Sequence, residues 1–571
     1  MKMASIIKKT IKGKTYYYYI ESKRVDGKPK HINQVYLGTA ENIMKKLETK
    51  YPQQPLYSEI ESFGDVCLIY DIAERLSLVE ILDECFPKRE QGISLGMYAL
   101  IAAINRAVNP TAKKNISDWY DKTVLKSIVP VSKKGLSCQR FWDNMNAIED
   151  DHITLFEEMF LETILEEYPI DTSRLIYDAT NFFTFINSAS DSELAKKGHC
   201  KSNRTNLKIV GLSMMITPDF NIPLLYDVYP GNTHDSDEFN TMITKMQERY
   251  RKITGKTADI TISFDRGNND EDNIELLETG QIPFHYVGGL RLSQVKILLA
   301  IPKTKYKTLQ DIYSKTKDKT KVYRTKMKLY SRELTVLLTF DPRLYKKHVH
   351  IHEENIAKTF TELEALKQQL HNRANQEVIK GKQMTEKSVS KRLQAILSRE
   401  HMSKIFETSI VISDRVDRPL LTYRLNKTAS DEIKRTYFGK RAFFTSRHEW
   451  SNEEIVGTYN SAWHVEGVFR QLKDTDYLSV RPLFHWTDQK IKVHIFFCVL
   501  AYRLCCLLNH ELRAAGVEIT INKMLESLAE IRKVTTILGT DNSDIILSLS
   551  KGTPTAEKIL DLYGLRAKYF S

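Results

Sequence analysis

The hydrophobic pattern changes period several times along the chain. Residues 14–38, KTYYYYIESKRVDGKPKHINQVYLG, alternate loosely on either side of Asp26-Gly27, which predicts a hairpin and places a small basic β unit over 1–50. From about 57 to 167 the spacing becomes helical, as in VCLIYDIAERLSLVEILDECF, LGMYALIAAINRAV and DHITLFEEMFLETILEEY. A helical domain is therefore expected over 51–170, suited to DNA binding or dimerisation. No helix pair in it is distinct enough to be a recognition motif.

The rhythm then turns to strands. LIYDATNFF, LKIVGLSMMIT and IPLLYDVYP read as three consecutive strands, followed by helix DSDEFNTMITKMQERYRKI, strand ADITISFD, helix EDNIELLET and strand PFHYVGG. Three strands able to form a meander and then alternating helix and strand are the order an RNase H-like sheet requires, so 171–290 is expected to be the first part of such a core. Residues 291–447 are too long for a structureless loop and mix strand-like with helical pieces, which predicts an inserted domain. At SNEEIVGTYNSAWHVEGVFRQLKDT a helix resumes, with Ser451 and Glu454 spaced as a capping box. With the buried helix KIKVHIFFCVLAYRLCCLLNHEL it forms the second part of the core, 448–520, ahead of a helical tail over 521–571. The expected class is thus α/β: an RNase H-like core interrupted by a large α+β insertion, with a basic N-terminal β hairpin and an α-helical N-terminal domain.

Charge narrows the choice of partner. The formal net charge is +12, and the basic residues are bunched: nine Lys or Arg against two acids over 1–40, and fourteen against four over 301–350. Two such patches can follow one phosphate backbone, or can be two solvated faces. The seven cysteines include no C-x-x-C pair and lie mostly in apolar runs, as buried thiols of a reducing compartment do. The N-terminus lacks the apolar core of a signal peptide, and the apolar tracts Leu95–Ala103 and Ile495–Leu508 read as buried helices. A cytoplasmic, nucleoid-associated protein without membrane contact is expected. There is no G-x-x-x-x-G-K-[ST], so no nucleotide cofactor is expected. His199, Cys200, His234 and His285 match no compact zinc spacing.

The candidate chemistry rests on three acids. Asp178 closes the apolar run LIYD and Asp265 closes ITISFD, at the carboxyl ends of strands, where α/β sheets place their ligands. Either aspartate equally suits a turn or a cap. On the helix near 452, Tyr459, Trp463, Glu466, Arg470 and Lys473 advance by four, three, four and three and so share one helical face. That face is either a site or a solvent face laced by ion pairs. Three carboxylates suit two hard divalent ions, Mg²⁺ with Mn²⁺ as a substitute, and two such ions activate and stabilise both oxygens of a phosphodiester displacement. In that role Asp178 would bridge the ions, while Asp265 and Glu466 would each favour one.

The segment Y459-N-S-A-W-H-V-E466-G-V-F-R-Q-L-K473 resembles the Y-x2-R-x3-E-x6-K signature of bacterial and archaeal DDE-type insertion-sequence transposases. Tyr459, Glu466 and Lys473 match it; the signature's arginine falls on Ala462, leaving Arg470 or His464 to supply its contact. LIYDATNFF and SFDRGNN resemble the two aspartate blocks. KKGHCKSNRTNLKIVGLSM, with Cys200 where serine is usual, VYPGNTHDSDEF and RPLFHW are similar to the tracts around them. The resemblance implies a cut-and-paste enzyme, acting as a dimer or higher multimer on double-stranded DNA at terminal inverted repeats and target. It implies catalytic Asp178, Asp265 and Glu466, with Tyr459, Lys473, Arg470, Trp463 and Arg266 at DNA and His234 with Asp235 beside the carboxylates. A nuclease on the same fold that cleaves without joining and a non-catalytic DNA-binding descendant are the competing readings.

Overall fold

The computed structural model describes residues 2–25, 28–48, 55–187, 189–198, 206–254, 259–280, 282–310, 319–375, 384–413, 418–538 and 544–570. The chain divides into two compact units, one made of Met1–Cys67, Lys122–Ile128 and Glu526–Ser571, the other of Leu68–Asp121 and Val129–Leu525.

In the first unit, β1 (Lys2–Ile11), β2 (Lys14–Val25) and β3 (Lys28–Gly38) form an antiparallel sheet in that order, one strand more than the sequence pattern suggested. Lys12 and Gly13 join β1 to β2 with positive φ of 48° and 76°, the left-handed backbone that a tight two-residue hairpin needs. The Asp26-Gly27 turn lies outside the described residues. β4 (Pro55–Ser62) follows, where helical spacing had been expected to begin.

The second unit is built on one nine-stranded mixed sheet. Its strands are β5 (Arg174–Phe183), β6 (Ile209–Ile216), β7 (Pro223–Pro230), β8 (Thr261–Phe264), β9 (His285–Leu290), β10 (Lys307–Thr308), β11 (Lys321–Leu329), β12 (Arg332–Phe340) and β15 (Lys440–Thr445). The hairpin of β13 (Phe406–Ser413) and β14 (Arg418–Leu425) stands outside it. The order is β10-β11-β12-β15-β9-β8-β5-β6-β7. β5, β6 and β7, each apolar, form the expected antiparallel meander; a short turn joins β6 to β7, while a long connection, 184–208, joins β5 to β6. β8 and β9 run parallel to β5, and the helices Asp235–Thr254 and Glu271–Thr279 make the crossovers that parallel pairing requires. Strands from 291–447 continue this same sheet through β15, which pairs with β9. The rest of that segment packs a helical core of its own around Leu363, Leu366, Val389 and Ile405.

Helices cover the sheet of the second unit. Asp488–Ala514 is long and apolar enough by composition to cross a membrane, yet 94% of its apolar stretch is buried inside the protein. It packs on Leu95–Val108 and on Asp150–Glu167. Its Arg503 is buried and grips Glu157 through both guanidinium nitrogens, at 3.1 and 2.6 Å, while its Nε donates to the Pro223 carbonyl of β7. The six described cysteines are all free thiols.

The C-terminal stretch read as helical also contains two strands, β16 (Arg532–Leu538) and β17 (Asp544–Leu549), which join β4 in the order β17-β16-β4 within the first unit. The run RKVTTIL is rich in β-branched residues, but what makes it a strand is pairing with β4, as in Val534 opposite Ile60. A partner so distant in sequence leaves no local periodic signal.

Candidate functional site

The parallel ladder between β5 and β8 ends with Ile176 opposite Ser263. Asp178 and Asp265 each lie two residues further on and so stand level, on neighbouring backbones about 5 Å apart. Asp265 directly follows the last residue of β8, whereas Asp178 sits in the middle of β5, which runs on to Phe183 instead of closing at the aspartate as the sequence pattern suggested. Asp178 is half-buried, and its Oδ1 accepts the Ala179 amide at 2.8 Å. Asp265 is exposed and opens a short 3-10 turn over Arg266–Asn268. Its Oδ1 accepts from the Tyr459 hydroxyl at 3.3 Å.

The helix carrying the other candidates is broken, where the sequence predicted one continuous face. It runs Asn452–Ser461, with Ser451 and Glu454 forming the expected capping box, and starts again at Trp463–Leu472. The Ser461 hydroxyl donates to the Thr458 carbonyl at 2.6 Å, and the Ala462 amide turns to Tyr459 O instead. Side-chain competition of this kind for a helix carbonyl bends the helix. As a result Trp463 leaves the face shared by Tyr459 and Glu466. It is 61% exposed, lies against the His464 ring at 4.1 Å, and lines a different cavity with Arg174 and Asp219.

Tyr459 and Glu466 instead line one cavity of about 730 Å³ together with Asp265 and Arg266. Tyr459 packs on Phe443, ring centres 4.6 Å apart, and against Gly289, where a Cβ would collide with the phenol. Burial, then the Asp265 charge and hydrogen bond, push its hydroxyl up to about 12, so it remains a proton donor at neutral pH. The helix Trp463–Leu472 packs on β5. At its end Lys473 donates to the Thr180 hydroxyl at 2.5 Å and lies 5.4 Å from the centre of the Phe182 ring. Thr180 is two positions past Asp178, on the same face of the strand. Arg470 is exposed one turn beyond Glu466.

The structure therefore brings Asp265, Glu466, Tyr459 and Arg266 to one cavity, and sets Asp178 on the adjoining strand β5, with Lys473 reaching that strand from the end of its helix. Among the described residues no three His, Cys, Asp or Glu side chains are grouped closely enough to hold a metal ion. The donor set fits hard cations in kind, since it offers carboxylate oxygens alone. Asp265 and Glu466 are both exposed, so their side chains can turn to meet a cation. His285 sits at the opposite end of its strand, paired with Ser446 and Asp259, and burial lowers its pKa. His234 is exposed ahead of the helix Asp235–Thr254. His199 and Cys200, and the side chain of Asp235, lie outside what is described.

Several lining groups escaped the sequence reading. Arg291, Lys440 and Arg441 line the cavity wall, and His348, His352 and His401 add rings whose pKa burial lowers. They reach the cavity only through the fold of 291–447. The one local signal was Gly288-Gly289 inside a strand, a mark of close backbone approach.

Residues 169–504 match the family model described as Transposase DDE domain, a span that takes in all three acids. No curated protein matches the chain. Among solved structures, the cryo-EM structure of a piggyBac transposase synaptic complex with hairpin DNA is similar at 9% identity and a TM-score of 0.34. The match covers 90% of this chain and 87% of that one, a likeness too weak to build on. On the strength of the family match, which spans more than half its length, the chain belongs to the transposase DDE domain family.

Proposed function

We propose that this protein is a cut-and-paste DNA transposase of the insertion-sequence type, with Asp178, Asp265 and Glu466 as its catalytic acids on an RNase H-like core. The observation that carries the reading is the level placement of Asp178, within β5, and Asp265, just past the end of the adjacent parallel β8, with the Glu466 helix packed on β5. The sheet order β9-β8-β5-β6-β7, a meander continued by two parallel strands, supports the RNase H-like assignment.

The three carboxylates would hold two Mg²⁺ ions, for which Mn²⁺ can substitute; when bound, such ions lower the pKa of a nucleophilic hydroxyl and stabilise the leaving oxygen. The protein's own residues position the DNA. The Tyr459 hydroxyl orients the Asp265 carboxylate, and Lys473, held over Thr180, faces a phosphate beside Asp178. Arg266 and Arg470 add charge at the rim, and Trp463 on its separate face stacks on a base or packs against flanking duplex. Water attacks phosphorus and loses a proton, and the P–O3′ bond breaks to leave a 5′-phosphate and a 3′-hydroxyl. That hydroxyl, after losing its proton, attacks a target phosphodiester, whose own P–O3′ bond breaks to release a protonated target 3′-hydroxyl. Two element ends must be handled together, which calls for a dimer or higher multimer.

The test is a Mg²⁺- or Mn²⁺-dependent reaction on a supercoiled plasmid carrying both element ends, comparing the native chain with Glu466→Gln. The proposal expects end-specific cleavage and joining by the native protein. The variant should still bind the ends but leave them intact. Cleavage without joining would make the protein a nuclease, and end binding without any reaction would make it a non-catalytic descendant.

A further inference from the structure

Past Asp178, strand β5 leads to a surface that the catalytic reading leaves unused. The Arg481 guanidinium lies 4.1 Å from the centre of the Phe183 ring. Phe183 meets Phe185 edge-on at 5.5 Å, and Phe185 faces Phe484 at 5.2 Å. The Phe185 amide donates to the Leu483 carbonyl at 3.2 Å, which holds the two chain segments side by side. Phe183 is buried, but Phe185 and Phe484 are 47% and 51% exposed, and Trp486, two residues on, is 68% exposed.

Large exposed aromatic side chains brought together by the fold, Phe185 on Phe484 with Trp486 two residues further along the chain, are costly to leave in water. Two cations lie close by, Arg481 over Phe183 and Lys473 over Phe182 back along the strand. Asp488, four residues past Phe484, is already taken by the Ser192 hydroxyl and the Glu193 and Leu194 amides. Exposed rings beside fixed cations suit unpaired nucleotides, whose bases stack on the rings while their phosphates meet the charge. A duplex hides its base faces and would gain only the charge contact.

We propose that Phe185 and Phe484, with Arg481 beside them, form a stacking platform for an unpaired DNA strand running from the catalytic acids along the end of β5. The proposal rests on the transposase reading for the direction of that strand. Phe185 lies seven residues beyond Asp178, about 23 Å along an extended chain, so the platform engages flanking nucleotides and leaves the scissile phosphate to the acids.

The test uses the full chain and fluorescein-labelled twelve-nucleotide oligothymidylate, with a blunt duplex of the same length as control, read by fluorescence anisotropy at fixed salt. Phe484→Ala is expected to weaken single-strand binding about tenfold and duplex binding less than twofold, and Phe484→Tyr, which keeps the ring, to restore it. Arg481→Gln should reduce the salt dependence of single-strand binding by roughly one phosphate contact. Both rings are half in solvent, and unchanged thermal melting of Phe484→Ala confirms that the fold is kept. Single-strand binding by Phe484→Ala equal to that of the native protein overturns the proposal, as does failure of the native protein to bind the oligonucleotide. These outcomes separate from the catalytic reading. A native protein that cuts and joins element ends while Phe484→Ala binds normally loses only the platform; one that binds through Phe484 but does not cut loses only the catalytic assignment.

Discussion

Replacing Tyr459 by Phe removes one hydroxyl and keeps the ring, and so isolates the contact that orients Asp265. The Tyr459 hydroxyl donates to Asp265 Oδ1 at 3.3 Å, a long bond to an exposed carboxylate. Hydrogen bonds to charged acceptors contribute about 1.5–3 kcal/mol, and length and exposure place this one at the low end, about 1.5 kcal/mol. If the carboxylate must be held to act, that loss is about a tenfold fall in kcat/KM for end cleavage. Packing on Phe443 and Gly289 is retained, so melting should change little. Because the phenol titrates only near 12, the ratio of native to variant rates should stay flat from about pH 7 to pH 9. The assay is single-turnover cleavage of an end-bearing duplex with saturating Mg²⁺ across that range. Equal rates in an intact variant would refute the orienting role and reduce Tyr459 to packing. A ratio that collapses toward one by pH 9 would refute the argument that the hydroxyl stays protonated.

Two further predictions concern stability. Arg503→Met leaves the Glu157 carboxylate, whose side chain is 5% exposed, buried without its partner, and should destabilise the second unit by about 3–5 kcal/mol; adding Glu157→Leu should recover most of that. Urea midpoints of the single and double variants decide it, and equal midpoints would mean the pair is not coupled. In the first unit, burial raises Asp65 from 3.8 to about 6. A raised carboxyl favours the folded state below its unfolded value and loses that advantage as pH rises through about 6. Asp65→Asn should therefore match the native protein near pH 4 and exceed it above pH 6, by up to about 3 kcal/mol. A constant difference at all pH values would show that Asp65 does not titrate with folding.

Part of the sheet that carries the candidate acids was legible from local pattern. Asp265 could be placed at a strand end because it closes an apolar run, and the meander order followed from three consecutive apolar runs; Asp178 closes a similar run, yet β5 continues past it to Phe183 because ATNFF pairs with β6. The Ser451 capping box was readable because a cap is decided within one turn. What local pattern could not supply was anything decided by competition or by distant pairing. The break at Ala462 depends on whether Ser461 or an amide takes the Thr458 carbonyl, and it moves Trp463 away from Tyr459 and Glu466. β16 is a strand because β4 pairs with it, and the cavity's Arg291, Arg441 and histidines reach Asp265 only because strands from 291–447 extend the same sheet. The sequence by itself determined which residues could do chemistry and on what kind of element each sits, since periodicity and capping are short-range. Tertiary structure alone decided which of them face one another, because side-chain direction and strand partnership depend on contacts made across hundreds of residues.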